Sequence, residues 1–277
     1  MAGPLHRGPR RKSAFYGTLG RVKYQASEGC FSLSPSHQVA IVTGASRGIG
    51  REVAKALSRT GAYVILNYRK EEEEAQKTLE MLRAVGGYGA LYRADLRSFE
   101  EAQGLVAFAV AKTGRLDVLI NNAGVSHHGL LMDMSEETYD WIMDTNLKGA
   151  FNVTRHALPH LLRTQGSILT ISSIWSAHGA ANEVVYAMSK AGLNAFTKSL
   201  AKEVGPMGVR VNAVAPGLID TQMNDRLSAK EKEAMVCSLA SHRMGTGEDI
   251  AKACVFLLSE EAAYINGQII TIDGGLL

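Results

Sequence analysis

A tyrosine and a lysine stand four positions apart in EVVYAMSKAG, among small and apolar side chains. On a helix, positions i and i+4 lie on one face, so Tyr186 and Lys190 would be neighbours one turn apart. A nearby positive charge favours the phenolate and makes a phenol, otherwise a poor acid, a usable proton donor. The alternative is that both are amphipathic surface residues with buried stems and exposed polar tips. The pair predicts proton transfer only if other residues place a reactant beside it.

The stretch TGASRGIG follows a short β-branched run and opens a helical pattern. In this context Gly44 permits a tight turn, Gly48 lets the backbone approach a pyrophosphate, and Gly50 lets the helix pack on the strand. The amides and the positive dipole end of the helix then face the phosphates. The loop predicts a dinucleotide site that also includes Ser46 and Ile49. The alternative is a turn that merely requires glycine.

The end of the second apolar run bears on which dinucleotide is bound. Asn67, Tyr68 and Arg69 close this run, and no acidic residue occurs before Glu71. An NAD site usually has a carboxylate here for the adenosine ribose hydroxyls, whereas a 2′-phosphate needs cations. Arg69 and Arg47, from the glycine loop, would hold that dianion. We therefore expect NADPH rather than NADH; the alternative is that both arginines are ordinary surface residues.

The stretches ADL and NNAG close the next two apolar runs, where doubly wound folds bind ligands. We expect Asp95 to accept a hydrogen bond from adenine, with Leu96 beside it. We expect the amide of Asn121 to hold backbone next to the cofactor. The alternative is that each only forms a turn. The predicted cofactor site also takes in the rest of the second stretch: Asn122, Ala123 and Gly124.

From Gln38 onward, short apolar runs alternate with longer helical patterns, which predicts a parallel sheet covered by helices. Right-handed crossovers make this an α/β fold, a doubly wound, mostly parallel, seven-stranded Rossmann sheet with helices on both faces. We expect a single domain over residues 38–277. The predicted strands are 39–44, 62–68, 88–96, 116–124, 167–173, 209–217 and 268–275. The predicted helices include 48–59, 70–85, 99–114, 135–162 (one helix or two) and 184–204.

Charge sets the N-terminal region apart from the rest of the chain. Residues 1–38 hold six basic side chains and one acidic side chain, whereas the remainder holds 24 basic and 26 acidic ones. A near-neutral body argues against a nucleic-acid surface on the folded domain. We expect residues 1–37 to be a basic leader, disordered or partly ordered, with an organellar transit peptide as the alternative.

Hydropathy and cysteine usage point to a protein of a reducing compartment without a membrane span. No apolar run approaches the roughly 18 residues that a spanning helix needs. Cys30, Cys237 and Cys254 are odd in number and widely separated, which predicts neither a disulfide framework nor a zinc site. We expect a cytoplasmic protein, or one of an organellar matrix if the leader is a transit peptide.

Taken together, these motifs resemble those of the classical short-chain dehydrogenase/reductase family. TGASRGIG, NNAG, TNLKGAF, ILTISS, YAMSK and VAPGLIDT occur in the family's order and span essentially residues 38–277. The resemblance implies a catalytic set made of Asn146, Ser173, Tyr186 and Lys190. It favours the chemical reading of the tyrosine and lysine pair over the surface reading.

The resemblance also implies a role for each member of this set. Tyr186 would give the proton to the carbonyl oxygen as hydride reaches carbon, and Lys190 would lower the pKa of that phenol. Lys190 would also hold the nicotinamide ribose hydroxyls. Ser173 would orient the substrate oxygen. Asn146 would support a water beside Lys190 and so a proton relay to solvent.

The loop VAPGLIDT resembles the segment that lies along the nicotinamide in this family. Pro216 and Gly217 would begin it, the backbone at Ile219 would bind the carboxamide, and Thr221 would bind the pyrophosphate. Residues 222–244 resemble the family's variable substrate lid. We expect its apolar residues at near-helical spacing to pack rather than to recognise a substrate: Met223, Leu227, Met235 and Leu239.

Within the family, the likeness is greatest to bacterial-type 3-oxoacyl-[acyl-carrier-protein] reductases. These enzymes reduce 3-oxoacyl thioesters with NADPH in fatty acid biosynthesis and are typically tetramers, with the last helix and strand packed across a two-fold axis. The resemblance therefore implies a homotetramer that acts on a ketone carried by acyl carrier protein. One departure concerns the arginines that dock this carrier beside the active-site mouth: Arg163 matches one place, but Met207 occupies the other.

The segment IWSAHGAANEV is a second departure from the reductase pattern. Trp175 and Glu183 resemble a related branch, the elongation factor P 5-aminopentanone reductases, in which an acid would pair with the substrate ammonium. The alternative is that Trp175 packs and Glu183 lies in solvent. Three scattered histidines are expected at the mouth without forming a metal site: His127, His128 and His178.

Two other functions remain as rivals to a carbonyl reductase. A non-catalytic dinucleotide-sensing protein on the same fold would be expected to have a broken catalytic set, and here all four positions are intact. An NAD-linked sugar or steroid alcohol dehydrogenase would prefer an acid near Asn67, and the sequence has none there.

Overall fold

The computed structural model, which describes residues 38–222 and 228–276, contains one seven-stranded sheet with the order β3-β2-β1-β4-β5-β6-β7. Every neighbouring pair of strands is parallel. The strands are β1 (Val39–Val42), β2 (Tyr63–Tyr68), β3 (Tyr88–Arg93), β4 (Val118–Asn121), β5 (Ser167–Ile171), β6 (Arg210–Pro216) and β7 (Ile269–Ile272). The predicted doubly wound sheet is confirmed.

Helices cover both faces of the sheet. Within the described ranges they are α1 (Gly48–Arg59), α2 (Glu72–Ala84), α3 (Phe99–Thr113), α4 (Glu136–Met143), α5 (Gly149–Thr164), α6 (Trp175–His178), α7 (Val184–Val204), α8 (Ala229–Ser238) and α9 (Gly247–Leu258). One buried core lies between the sheet and α3, α5 and α7, and includes Leu105, Leu161 and Leu200. The other core lies on the opposite face, where α1 and α9 contribute Val53 and Leu257.

The strands that carry the site are buried on both faces because their apolar residues are consecutive rather than alternating. Every residue of β1, β2, β4 and β5 is buried, as expected for a parallel sheet between two helical layers. The two edge strands, β3 and β7, are partly exposed. All seven strands end at one edge of the sheet, and this edge is where ligands bind in such folds.

The segment predicted as one long helix or two is two α-helices joined by a π-helical turn, Asp144–Lys148. Helices α1 and α7 have the predicted bounds. In the lid, Leu239 is buried and Met235 is partly buried, in agreement with the expected packing role. Met223 and Leu227 lie outside the described residues, as does the whole leader over residues 1–37.

No helix in the described part of the chain is both long enough and apolar enough to cross a membrane. Within the same residues, no group of three or more histidine, cysteine or acidic side chains could hold a metal ion. Cys237 is exposed and Cys254 is buried, and neither forms a disulfide. Cys30 lies outside the described residues.

Candidate active site

The serine, the tyrosine and the lysine of the predicted catalytic set meet at the carboxyl edge of the sheet. Ser173 follows the end of β5, and Tyr186 and Lys190 occupy successive turns at the start of α7. All three side chains are buried. The Lys190 Nζ lies 5.7 Å from the centre of the Tyr186 ring and donates a 2.8 Å hydrogen bond to the carbonyl oxygen of Ile171. The helical spacing therefore brings the phenol and the amine together.

Burial changes the acidity of this amine. Lys190 is removed from solvent, which disfavours the charged form and lowers the pKa of its ammonium from 10.5 to about 8. An amine in this range exchanges its proton near neutral pH far more readily than an exposed lysine does. The side chain can therefore serve as a proton carrier as well as a local positive charge.

Asn146 sits in the π-helical turn and is completely buried. Its Oδ1 accepts a 2.7 Å hydrogen bond from the Val125 amide, and its Nδ2 donates to the Val125 carbonyl at 2.9 Å. The same Nδ2 donates to the Ser189 hydroxyl at 2.9 Å, and this hydroxyl donates to the Tyr186 carbonyl at 2.7 Å. Asn146 therefore links the strand-end loop after β4 to the helix that carries Tyr186. Single π turns inside α-helices are frequent at functional sites.

The glycine loop between β1 and α1 has a backbone that side chains would disrupt. Gly44 has φ +61°, in the left-handed region, and a Cβ added at Gly50 would lie 2.4 Å from the Gly44 carbonyl oxygen. Arg47, which precedes α1, makes no side-chain cap, and the first turn of α1 holds no acidic residue. The amides at this helix start are therefore available to an anion, and the loop fits the pyrophosphate of a dinucleotide.

The role predicted for the amide of Asn121, to hold backbone next to the cofactor site, belongs to Asn122. The Asn121 side chain donates to the Thr154 hydroxyl on α5 at 3.0 Å, so it points away from the glycine loop. Asn122 instead donates to the carbonyl oxygens of Thr43 and Gly44, at 2.8 and 3.0 Å. Because successive residues of a strand point to opposite faces, the prediction for Asn121 was wrong by one position.

The side chains at the end of β2, and Arg47 of the glycine loop, make hydrogen bonds within the protein that the sequence did not predict. Asn67 is buried; its Oδ1 accepts from the Gly44 amide at 3.4 Å and its Nδ2 donates to the Ala94 carbonyl at 3.2 Å. Asn67 therefore ties the glycine loop to the end of β3. The Arg47 guanidinium donates to the Gln222 side chain at 2.7 Å, whereas the Arg69 guanidinium leans toward a carboxylate on the next strand end.

That carboxylate is Asp95, and its main partner is a residue that the sequence reasoning missed. Arg97 Nε lies 3.0 Å from both Asp95 oxygens, and Arg97 Nη2 lies 2.6 Å from Oδ2. Arg69 Nη1 lies 3.8 Å from the same Oδ2. The hydrogen bond from Arg97, above all, lowers the pKa of Asp95. The DLR sequence was a usable signal, because an acid and an arginine two positions apart after a strand can pair.

These groups line one cleft of about 700 Å³ at the carboxyl edge of the sheet. The predicted catalytic and cofactor residues line it except Gly50, Asn121 and Asn146. The loop after β6 closes one side, with Pro216, Gly217, Ile219 and Thr221 in the lining. A cleft of this volume with a few convergent polar groups suits a cofactor and a small substrate.

The residues considered for carrier docking, and those that resemble the aminopentanone reductases, do not converge on this cleft. Arg163 lies near the end of α5 and Met207 lies just before β6, so both are at the edge where strands begin, opposite the cleft. The expected placement beside the mouth of the same chain is therefore wrong. Glu183 is buried, not in solvent, and the described cleft lining includes neither Glu183 nor Trp175.

The three histidines were expected at the cleft mouth. His127 and His128 line the cleft, and His178 does not belong to its described lining.

Comparisons with known proteins agree with this site. The family model described as enoyl-(acyl carrier protein) reductase matches residues 44–277. The chain is 42% identical over 238 residues to the 3-oxoacyl-[acyl-carrier-protein] reductase FabG of Staphylococcus aureus (strain N315), covering 86% of this chain and 97% of that one. It is 37% identical over 241 residues to the uncharacterized oxidoreductase YmfI of Bacillus subtilis (strain 168), covering 86% and 98%.

A solved structure shows the same fold. A dehydrogenase/reductase from Sinorhizobium meliloti 1021 superposes with a TM-score of 0.83 at 35% identity, over 88% of this chain and 96% of that chain. The chain belongs to the short-chain dehydrogenase/reductase family and is an oxidoreductase. Members of this family use a nicotinamide dinucleotide, and the glycine loop and cleft fit one.

Proposed function

We propose that this chain is an NADPH-dependent carbonyl reductase that converts 3-oxoacyl-[acyl-carrier-protein] thioesters to 3-hydroxyacyl thioesters in fatty acid biosynthesis. The observation that carries the proposal is the buried pair of Tyr186 and Lys190 on one cleft wall, next to the glycine loop. The identity to the FabG reductase of Staphylococcus aureus supports the substrate class. A homotetramer in the cytoplasm is the form we propose.

Reduction of the ketone needs a hydride at carbon and a proton at oxygen. A nicotinamide dinucleotide held in the cleft would supply the hydride. Ser173, which lines the same cleft as Tyr186, donates a hydrogen bond to the substrate oxygen and sets its orientation. Tyr186 then gives its phenolic proton to the same oxygen as negative charge develops there, so the product leaves as a neutral alcohol.

The phenolate that remains must be stabilised and reprotonated. Lys190, 5.7 Å from the centre of the ring, supplies a positive charge in a low-dielectric setting, where its effect on the phenol is larger than in water. With a pKa of about 8, the same amine can pass a proton to the phenolate and recover one from solvent. Asn146 supports this relay by holding the backbone of Val125 and, through Ser189, the turn that carries Tyr186.

The charge at the adenosine end of the cleft supports NADPH. The last residues of β2 carry no acid: Asn67 is turned into the interior and Arg69 lines the cleft. Lys70 and Arg97 line the cleft as well. Two carboxylates, Glu71 and Asp95, line this part of the cleft, and Asp95 is already paired with Arg97. A ribose 2′-phosphate meets a surplus of positive charge here, which favours NADPH over NADH.

A rate comparison tests the proposed function. We expect the purified chain to oxidise NADPH in the presence of an acetoacetyl thioester, more slowly with NADH, and to leave a 5-aminopentanone-like ketone unreduced. Tyr186→Phe should lower turnover by about a hundredfold or more, because the general acid is removed, while NADPH still binds. Preferential reduction of the aminoketone, or full activity of Tyr186→Phe, would contradict the substrate and the mechanism respectively.

A further inference from the structure

The face of α7 that carries the tyrosine and the lysine continues for one more turn. Asn194 follows Lys190 by four positions, as Lys190 follows Tyr186, so the three side chains lie along one face of the helix. Asn194 is partly buried, and the described lining of the cleft does not include it. Its side-chain amide can donate and accept hydrogen bonds at once. The partners of this amide therefore determine whether the residue contributes to the site.

Both ends of the Asn194 amide bind serines of the segment that follows β5. Oδ1 accepts a 2.7 Å hydrogen bond from the Ser172 hydroxyl. Nδ2 donates a 2.7 Å hydrogen bond to the Ser176 hydroxyl, which in turn donates to the carbonyl oxygen of Ser173. Because the single hydroxyl proton of Ser176 is used in that bond, Ser176 can only accept from Asn194. The network therefore fixes which end of the amide faces which serine.

The same segment is held from the other side by β6. The Ser172 and Ile174 amides donate to backbone carbonyls of β6, at 2.7 and 3.1 Å. The backbone on both sides of Ser173 is thereby bound to the sheet. Asn194 adds a connection to α7, the helix that carries Tyr186. The position of the serine relative to the tyrosine depends on this connection.

The Ser173 hydroxyl is oriented by the short helix α6. The Trp175 amide donates a 3.2 Å hydrogen bond to Ser173 Oγ. An oxygen that accepts this bond still has its own proton to donate to a substrate oxygen. Ser176 holds the start of α6 against the Ser173 carbonyl, through its backbone amide at 3.0 Å and through its hydroxyl. Asn194, through Ser176, therefore acts on the donor that orients the Ser173 hydroxyl.

We propose that Asn194 is a positioning residue for the reduction: it holds the Ser173 hydroxyl at a fixed place relative to the Tyr186 hydroxyl, so that both meet one substrate oxygen. This rests on the proposed function, in which these two hydroxyls act on the ketone. A displacement of about 1 Å in such a group can cost about a hundredfold in rate. Loss of Asn194 therefore lowers turnover without removing a group that touches the substrate.

A double-mutant cycle separates positioning from a merely structural role. Kinetics with the acetoacetyl thioester, or with the aminoketone if the parent reduces only that, are measured for Asn194→Ala, Ser173→Ala and the double variant. Asn194→Ala should lower kcat by about tenfold or more and change the KM for NADPH by less than about twofold. Ser173→Ala should lose about a hundredfold. In that background, Asn194→Ala should cost less than about threefold more, because the hydroxyl that it positions is gone.

Two further variants distinguish the hydrogen bonds from the fold. Asn194→Asp keeps the size of the side chain but replaces the donor to Ser176, so it should lose kcat as Asn194→Ala does. Asn266→Ala is the matched control, because Asn266 is also partly buried and its Oδ1 accepts a 2.8 Å hydrogen bond from the Val211 amide, at the edge of the sheet opposite the cleft. It should lower the unfolding midpoint to a similar extent and leave kcat within about twofold of the parent.

Amide hydrogen exchange at Trp175 gives a readout that needs no substrate. The exchange rate, measured by NMR, should rise by about tenfold or more in Asn194→Ala and stay unchanged in Asn266→Ala. Equal losses of kcat from Asn194→Ala with and without Ser173, or an unchanged exchange rate at Trp175, would overturn the proposal. A parent that does not reduce the acetoacetyl thioester would refute the proposed substrate alone, and the exchange measurement would still determine the role of Asn194.

Discussion

In the proposed mechanism, Lys190 serves two purposes that place opposite demands on its environment. A positive charge beside Tyr186 must be strong, which calls for a position away from solvent. Burial, however, disfavours the charge itself and lowers the ammonium pKa to about 8. The carbonyl of Ile171, which accepts a hydrogen bond from Nζ, offsets part of this penalty. The proposed role of Lys190 therefore comes at the expense of the stability of the folded protein.

Replacing this lysine should separate the two effects. Lys190→Met should abolish turnover, yet raise the free energy of unfolding at pH 7 by up to about 3 kcal/mol, since the shift from 10.5 to about 8 corresponds to that energy. A folded-state pKa below the unfolded one destabilises the wild type fully below pH 8. This penalty disappears as the pH rises from 8 to 10.5. The difference between the two proteins in urea unfolding should therefore shrink from pH 7 to pH 10.

The buried thiol of Cys254 does not obscure this measurement. Burial raises the pKa of the Cys254 thiol to about 12, so its contribution to stability falls as the pH rises above 9. That contribution is present in both proteins and cancels in their difference. A variant less stable than the wild type at pH 7 would show that the hydrogen bond to Ile171 outweighs the burial of the charge.

The neighbouring residues Asn121 and Asn122 show what could not be predicted from the sequence. NNAG indicated that an amide holds the glycine loop, and the structure assigns this contact to Asn122 rather than Asn121. Which of two neighbours points to which face depends on the register of β4 against β1, and identical side chains give no pattern from which to read it. The residues after β3 show a similar limit, because the pairing of Asp95 with Arg97 requires a turn whose shape the sequence does not specify.

Among the elements, the π-helical turn between α4 and α5 could not be predicted from periodicity. Apolar spacing gave one helix or two over 135–162, and the extra residue of a π turn does not alter that spacing enough to reveal it. The turn is fixed by tertiary contacts, because Asn146 within it binds both backbone groups of Val125. Helix α1, by contrast, was predicted to the residue, since its glycine-rich start is a local signal.

The packing of α1 on the glycine loop leads to a prediction at this scale. Gly50→Ala should abolish detectable NADPH binding and lower the unfolding midpoint, because its Cβ would lie 2.4 Å from both the Gly44 carbonyl oxygen and the Asn122 amide nitrogen. Neither group can retreat: the carbonyl belongs to a backbone turn, and the amide holds that turn in place. Calorimetric titration with NADPH and differential scanning calorimetry measure the two effects.

A matched control exists in the other helix of the site. Gly192→Ala is also a glycine to alanine change within a helix, α7, and its Cβ would meet the methyl end of Leu147 at 2.9 Å. That flexible end can move, so we expect NADPH binding to persist and the midpoint to change by only a few degrees. Equal behaviour of the two variants would show that the loop accommodates a side chain and that the close approach is not required.

For the whole molecule, the number of strands and their parallel direction were predicted from the sequence because strand and helix patterns alternate seven times. The same topology explains a wrong prediction. In a parallel sheet, residues just before a strand lie opposite the cleft, so Arg163 and Met207 could not stand beside the mouth of their own chain. A residue close in sequence to a strand of the site can lie at either end of that strand, and only one end faces the cleft. The roles of the predicted site residues remain predictions until the variants above are measured.

The edge strand β7 is the place to test how the chain assembles. This strand ends the sheet, three of its four residues are partly exposed, and neighbouring α9 presents Phe256 with 49% exposure. An edge strand that no neighbouring strand of the described sheet pairs with, beside an aromatic residue, favours association. For the proposed homotetramer, sedimentation should give about four times the chain mass of 29.8 kDa, and Phe256→Glu should give a smaller species because a charge would be buried. Met81→Glu is the control, because Met81 is 39% exposed on α2, which lies next to β3 at the other edge of the sheet. This variant should leave the mass of the assembly unchanged. If both variants dissociate equally, or if neither does, the contact between chains lies elsewhere.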